Sequence, residues 1–130
     1  MSTAAITSMM DETAWAVVDK LAKWDAKFDH VRSAQRAHQR KPCRLVMSAR
    51  FADKAWKLIS GDTRIWVRNI SRGGLNFVHN EEIRAPHVRI RAEAAHGQTE
   101  MTGVIVSSRE VHDGFYEYGV KFAANVPPAS

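Results

Sequence analysis

One cysteine, Cys43, cannot close an internal disulfide, and a reducing cytosol is the compartment this fits. No apolar run approaches the ~20 residues needed to span a bilayer. The opening Met-Ser-Thr-Ala-Ala-Ile-Thr lacks both a basic n-region and a long apolar stretch, so no secretory signal is expected. The histidines His30, His38, His79, His87, His96 and His112 are scattered without zinc-like spacing, which leaves no metal site to argue for. No Ser–His–Asp arrangement is arguable either. Ser107-Ser108-Arg109 reads as strand-end chemistry, and Asp53 and Glu81-Glu82 read as surface carboxylates. Neither an enzyme nor a resident cofactor is expected. Acids are missing altogether between His30 and Ala52, a stretch that holds Arg32, Arg36, Arg40, Lys41, Arg44 and Arg50. With a net charge of +5 and a pI near 9.7, the chain favours anionic partners. Charge alone does not choose among nucleic acid, nucleotide and lipid headgroup. The plain alternative for the basic stretch is a solvated helix end and linker.

What is present suits one domain: 130 residues, 45% of them hydrophobic. Residues 1–7 read as a leader. Ser8-Met-Met-Asp11 fits a capping box, and no Gly or Pro interrupts the chain from there to about Ser33. Val17, Leu21, Trp24, Phe28 and Val31 recur at helical steps, with Trp15 and Val18 widening the face. Such a helix would be on the order of 35 Å long. It is expected to dock on the chain's own core, with a homodimer through its outer part as the alternative. Gln35 to Pro42 reads as a polar, basic connector, and the helix should end before Pro42. The period then changes. Arg44–Phe51, Ala55–Ile59, Arg64–Asn69, Leu75–Val78, His87–Ala94, Thr99–Ser108 and Phe115–Phe122 read as strand-like runs. His87–Ala94 alternates most cleanly. Gly103 is expected to mark a bulge or bend, Ser60–Thr63 a hairpin turn and Asp113-Gly114 another. Many short strands with tight turns predict a mainly β, antiparallel barrel or sandwich.

Two local features carry chemistry. Arg36-Ala-His-Gln-Arg40 sets two guanidinium forks on the connector, each matched to a phosphate or to the O6/N7 edge of guanine, with a flat face that stacks on a base. Asn69-Ile-Ser-Arg-Gly-Gly74, between two strand-like runs, offers an amide, a hydroxyl and backbone N–H groups. Its paired glycines permit positive φ and close approach. By itself the corner could be an ordinary β-turn.

Taken in order, Arg-x-x-x-Arg and Asn-x-Ser-x-x-Gly resemble the motifs of a PilZ domain, and Tyr118-Gly-Val-Lys-Phe122 is similar to that family's last barrel strand. The resemblance runs from about Arg32 to Phe122. It implies a six-stranded antiparallel β-barrel, here at residues 34–125, between a leader and helix at 1–33 and a tail at 126–130. It also implies a cytoplasmic receptor for the bacterial second messenger cyclic di-GMP. Arg36 and Arg40 would grip guanine and phosphate, and Asn69, Ser71, Gly73 and Gly74 would bind from the barrel. Gln35, Lys41, Arg44 and Arg72 are additional candidates. Asn69 stands where many members have an acid, and Gln35 where many have another arginine. The implied partner is an effector in motility, pilus or exopolysaccharide control. Two other readings remain: a PilZ-like scaffold for protein partners that binds no nucleotide, and a basic barrel that binds single-stranded nucleic acid, with Trp56 and Trp66 as stacking platforms.

Overall fold

The computed structural model describes residues 9–23, 41–94, 97–112 and 114–123. Residues 9–23 form helix α1. Six strands follow: β1 (Lys41–Ala52), β2 (Thr63–Ile70), β3 (Gly74–His79), β4 (His87–Ala94), β5 (Gly97–His112) and β6 (Phe115–Phe122). They close an antiparallel barrel in the order β1-β2-β3-β6-β5-β4, with β4 pairing back onto β1. The mainly β, six-stranded barrel with an N-terminal helix is therefore the fold.

Period-2 alternation decides which side chains fill the barrel. Met47, Ala49 and Phe51 of β1, Ile65 and Val67 of β2, and Leu75 and Phe77 of β3 point inward. So do Val88 and Ile90 of β4 and Tyr118 and Val120 of β6. Tyr118 also ties down the β3–β4 connection, its hydroxyl accepting from Ile83 N at 2.6 Å and donating to Glu81 O at 3.1 Å.

A second apolar cluster lies outside the barrel. Ala14, Val17, Val18 and Leu21 of α1 pack on Trp66, Val78 and Phe115. The described part of the helix therefore docks on its own barrel; Trp24, Phe28 and Val31, and the homodimer they could form, lie outside the described residues. Ser8 lies outside the described residues; Asp11, in the first described turn of α1, reaches across to the barrel. Its Oδ1 accepts from Arg64 Nε at 2.8 Å and Trp66 Nε1 at 2.7 Å, while Oδ2 accepts from Arg64 Nη2 at 2.6 Å. Chiefly because of Arg64, the Asp11 carboxyl is held below the usual carboxylate range, against a smaller opposing effect of burial. Helix and barrel are thus joined by a charged latch as well as by apolar contact.

Several local expectations change. Pro42 does not precede the first strand but lies within β1, opposite Asn69 and beside a register shift, where a missing N–H is tolerated. Ala55–Ile59 forms no strand. Asp53 Oδ1 accepts the backbone N–H groups of Ala55 (2.9 Å) and Lys57 (3.0 Å), folding the segment into a turn with one isolated bridge, Ala52 to Leu58. Trp56 takes φ 65° there, an uncommon conformation for a bulky residue. Its ring stacks on His87 at 3.9 Å and 6°. Gly103 is no bulge. A Cβ there would meet Val120 Cγ1 at 2.4 Å and Lys121 O at 2.8 Å, so glycine allows close strand packing; the shifts in β5 fall at Ile105/Ser107 and Glu110/His112.

His79 is 2% exposed, in the barrel interior. Its Nδ1–H donates to Arg64 O at 3.0 Å, and the ring lies 6.1 Å from Phe51. Burial pushes its pKa below the ordinary value of about 6.5, more than the Arg64 carbonyl and Glu81 push it up. The unfolded chain therefore binds this proton more readily than the folded one. Stability is complete above pH ~6.5 and is lost as pH falls toward the depressed folded value, at no more than about 1.4 kcal/mol per pH unit. Urea midpoints measured at pH 7.5 and pH 5.5 should drop in the wild type and drop less in His79→Gln. Equal drops in both would assign the effect elsewhere.

Candidate functional site

The outward face of β2, β3 and β6 is built by the same alternation that fills the interior. Asn76 pairs with Gly119, Val78 with Glu117 and Gly74 with Lys121, all on the face opposite Leu75, Phe77, Tyr118 and Val120. On β2 a register shift between Val67 and Asn69 inserts one extra residue, so that both Arg68 and Asn69 face outward across from Asn76.

The corner between β2 and β3 is held by its own groups. Ser71 N donates to Gly74 O at 2.8 Å, Gly73 N donates to Ser71 Oγ at 3.2 Å, and Ser71 Oγ donates to Gly74 O at 3.4 Å. Phe122 N, on β6, donates to Gly73 O at 2.9 Å. Ser71 therefore sets the shape of the turn. Gly74 is needed for close approach and not for positive φ: a Cβ on it would lie 1.9 Å from Val120 O. Positive φ among the described glycines occurs at Gly97 and Gly114. Arg72 is exposed at the tip.

Asn69 is 8% exposed, and its Oδ1 is buried without a hydrogen-bond partner among the described residues; Asn76 Oδ1 is in the same state. A buried acceptor without a donor costs about 1–3 kcal/mol. That is an unusual expense at two residues directly opposed across one ladder.

Beside these carboxamides lies a buried charge cluster. Glu117 and Arg68 are 6% and 8% exposed, and Arg68 Nε donates to a Glu117 carboxylate oxygen. The other Glu117 oxygen accepts from Arg109 Nε at 2.9 Å and Nη2 at 2.7 Å. Two guanidinium groups thus converge on one carboxylate, a step along the strands from Asn76 and Gly119.

Of the residues singled out from the sequence, Asn69, Ser71, Gly73 and Gly74 are together at the corner. Gln35, Arg36 and Arg40 lie outside the described residues. Lys41 opens β1 opposite Ile70, and Pro42 stands opposite Asn69, so the strand that follows the Arg36–Arg40 motif begins beside the corner. Arg44 is directed to the helix: its guanidinium carbon is 4.7 Å from the Trp15 ring centroid, and Nη1 is 3.4 Å from Asp19 Oδ1. Trp66 is buried and Trp56 is stacked on His87, so neither ring is bare for a base. Sequence reading missed Asn76, Arg68, Glu117 and Arg109. Opposite charges on neighbouring antiparallel strands were the available signal, but it needs the register to be read.

No group of three or more His, Cys, Asp or Glu among the described residues could hold a metal ion. Cys43 is half-buried, its thiol pushed up by burial and its Sγ donating to Val67 O at 3.8 Å, so it is a packing residue. No described helix is long and apolar enough to cross a membrane.

The family model for the PilZ domain matches residues 34–130, most of the chain. The chain belongs to the PilZ domain family. No curated protein matches it. PilZ domains are of the cyclic di-GMP receptor and adaptor type, and the corner from Asn69 to Gly74 lies within the matched residues.

Proposed function

We propose that this PilZ protein is a cytoplasmic cyclic di-GMP receptor and adaptor without catalytic activity. Arg36 and Arg40 close over the Asn69–Gly74 corner, and the bound state is relayed to an effector protein. One observation carries the reading: β1 starts opposite the corner, with Lys41 against Ile70 and Pro42 against Asn69, so the basic connector enters the barrel at the proposed site. The ligand bears two phosphodiester charges, and guanidinium forks meet them with paired, charge-assisted bonds. Asn69 binds through its amide. Ser71, Gly73 and Gly74 keep the turn in shape and offer backbone to the ligand. Gln35, Lys41 and Arg72 add to the rim.

Arg44 has a different part in this scheme. It follows Arg40 by four residues and grips Trp15 and Asp19 of α1. Binding at Arg36 and Arg40 is thereby transmitted to the helix, whose position exposes or hides a surface for the effector. Such coupling requires the ligand to bind the two helix positions unequally.

Calorimetric titration tests the reading. Wild-type protein should bind cyclic di-GMP, and Arg40→Ala should weaken binding by about tenfold or more. A flat wild-type titration leaves the nucleotide-free scaffold. Affinity for long polyanions that falls steeply with salt but ignores Ser71→Ala would instead indicate single-stranded nucleic acid.

A further inference from the structure

Asn69 and Asn76 are directly opposed across β2 and β3, and the Oδ1 of each is buried without a donor among the described residues. The next strand offers little help. Asn76 is faced by Gly119, which has no side chain. Ser107 Oγ lies over Gly119, 2.3 Å from where a Cβ would stand, yet makes no bond to Asn76 Oδ1. Two acceptors side by side, unsupplied by their own sheet, match a ligand edge that carries two adjacent donors. Guanine has that edge: N1–H and N2–H2 are neighbours. Adenine presents an acceptor at N1 and one amino group beside it, which leaves one carboxamide oxygen facing a lone pair.

We propose that Asn76 is a guanine-specificity residue that acts with Asn69: Asn69 Oδ1 accepts N1–H and Asn76 Oδ1 accepts N2–H2 of one base. The proposal rests on the cyclic di-GMP reading and adds to it a residue outside the Asn-x-Ser-x-x-Gly motif. A site that hydrogen-bonds a group through buried atoms discriminates strongly against analogues lacking that group, because its own atoms are then left unpaired.

The test compares cyclic di-GMP with its hypoxanthine analogue, cyclic di-IMP, which keeps N1–H and O6 but lacks the N2 amino group. Wild-type protein should bind cyclic di-GMP about tenfold more tightly than the analogue. In Asn76→Val the gap should shrink to about twofold, through loss of cyclic di-GMP affinity alone. Asn76→Asp, which keeps oxygen acceptors at the position, should preserve the preference. If Asn76→Val does not fold, as judged by thermal unfolding, Asn76→Ala gives the same comparison. A gap that stays at its wild-type size in the apolar variant overturns the proposal and leaves the receptor reading standing. Wild-type protein that binds neither compound overturns both.

Discussion

Gly74→Ala is expected to cost about 3 kcal/mol or more and to leave little folded barrel under mild denaturant. Inserting a single methyl into a tight core costs about 1–3 kcal/mol even when side chains can shift. Here there is no side chain to shift. The new Cβ would lie 1.9 Å from Val120 O, 3.0 Å from Val120 C and 3.3 Å from Lys121 Cα, all backbone atoms of β6. Relief requires β3 and β6 to part where Gly74 pairs with Lys121 and Leu75 with Val120. That movement would open the core around Leu75 and Val120 and break the bond from Phe122 N to Gly73 O. Gly61→Ala is the control, since nothing lies within 4 Å of its added Cβ. Urea unfolding followed by circular dichroism reads the difference. A Gly74→Ala midpoint equal to that of the control would show that β6 yields cheaply and that the glycine is there for some other reason.

Glu117→Ala should be the second large loss, about 3 kcal/mol. Breaking a buried ion pair by deleting one partner costs about 3–5 kcal/mol, because the remaining charge stays in a poorly solvated place. The lower end applies because Arg109 is 41% exposed and can turn to water, and because Arg68 keeps a further interaction of its own. Arg68 cannot turn so easily: its side chain is 6% exposed, beneath the outer face of β2 and β6. The double variant Glu117→Leu with Arg68→Met should recover much of the loss, since an apolar pair of similar size replaces a buried ionic one at little net cost. Denaturation curves with an unchanged slope would keep the comparison within two-state terms. A Glu117→Ala protein as stable as wild type would mean that water already reaches the cluster.

Much of the barrel could be read from residues because its signals are local. His87–Ala94 alternates so regularly that its buried residues, Val88 and Ile90, fall where period 2 puts them. The Asn69–Gly74 corner announced itself by Ser and paired Gly between apolar runs. The failures are equally physical. Ala55–Ile59 has strand-like composition, but the Asp53 carboxylate takes the amide hydrogens that a ladder would need. Asp11 reads as a residue of the helix start, and nothing near it in sequence announces the bidentate bond to Arg64 from far along the chain. β2 hides its two faces altogether. Five successive residues, Ile65 to Asn69, are buried, because the core covers one face while α1 and Glu117 cover the other. No alternation survives to mark Arg68 and Asn69 as neighbours on the outer surface, and Asn76 gains meaning only once the β2–β3 register is known.

The circular pairing of the strands has a consequence for any downstream partner. Each strand already has a neighbour on both flanks, from β1 through β2, β3, β6, β5 and β4 back to β1. Among the described residues a foreign strand could add mainly beside Lys41–Met47 of β1 or Val106–His112 of β5, which pair on one flank alone; elsewhere the sheet has little bare margin of N–H and C=O groups to lend. Away from those two stretches, whatever listens to this domain must read side chains, loop tips or the flank of α1. Its specificity is then carried by a few surface residues that can change while the cylinder beneath them stays the same.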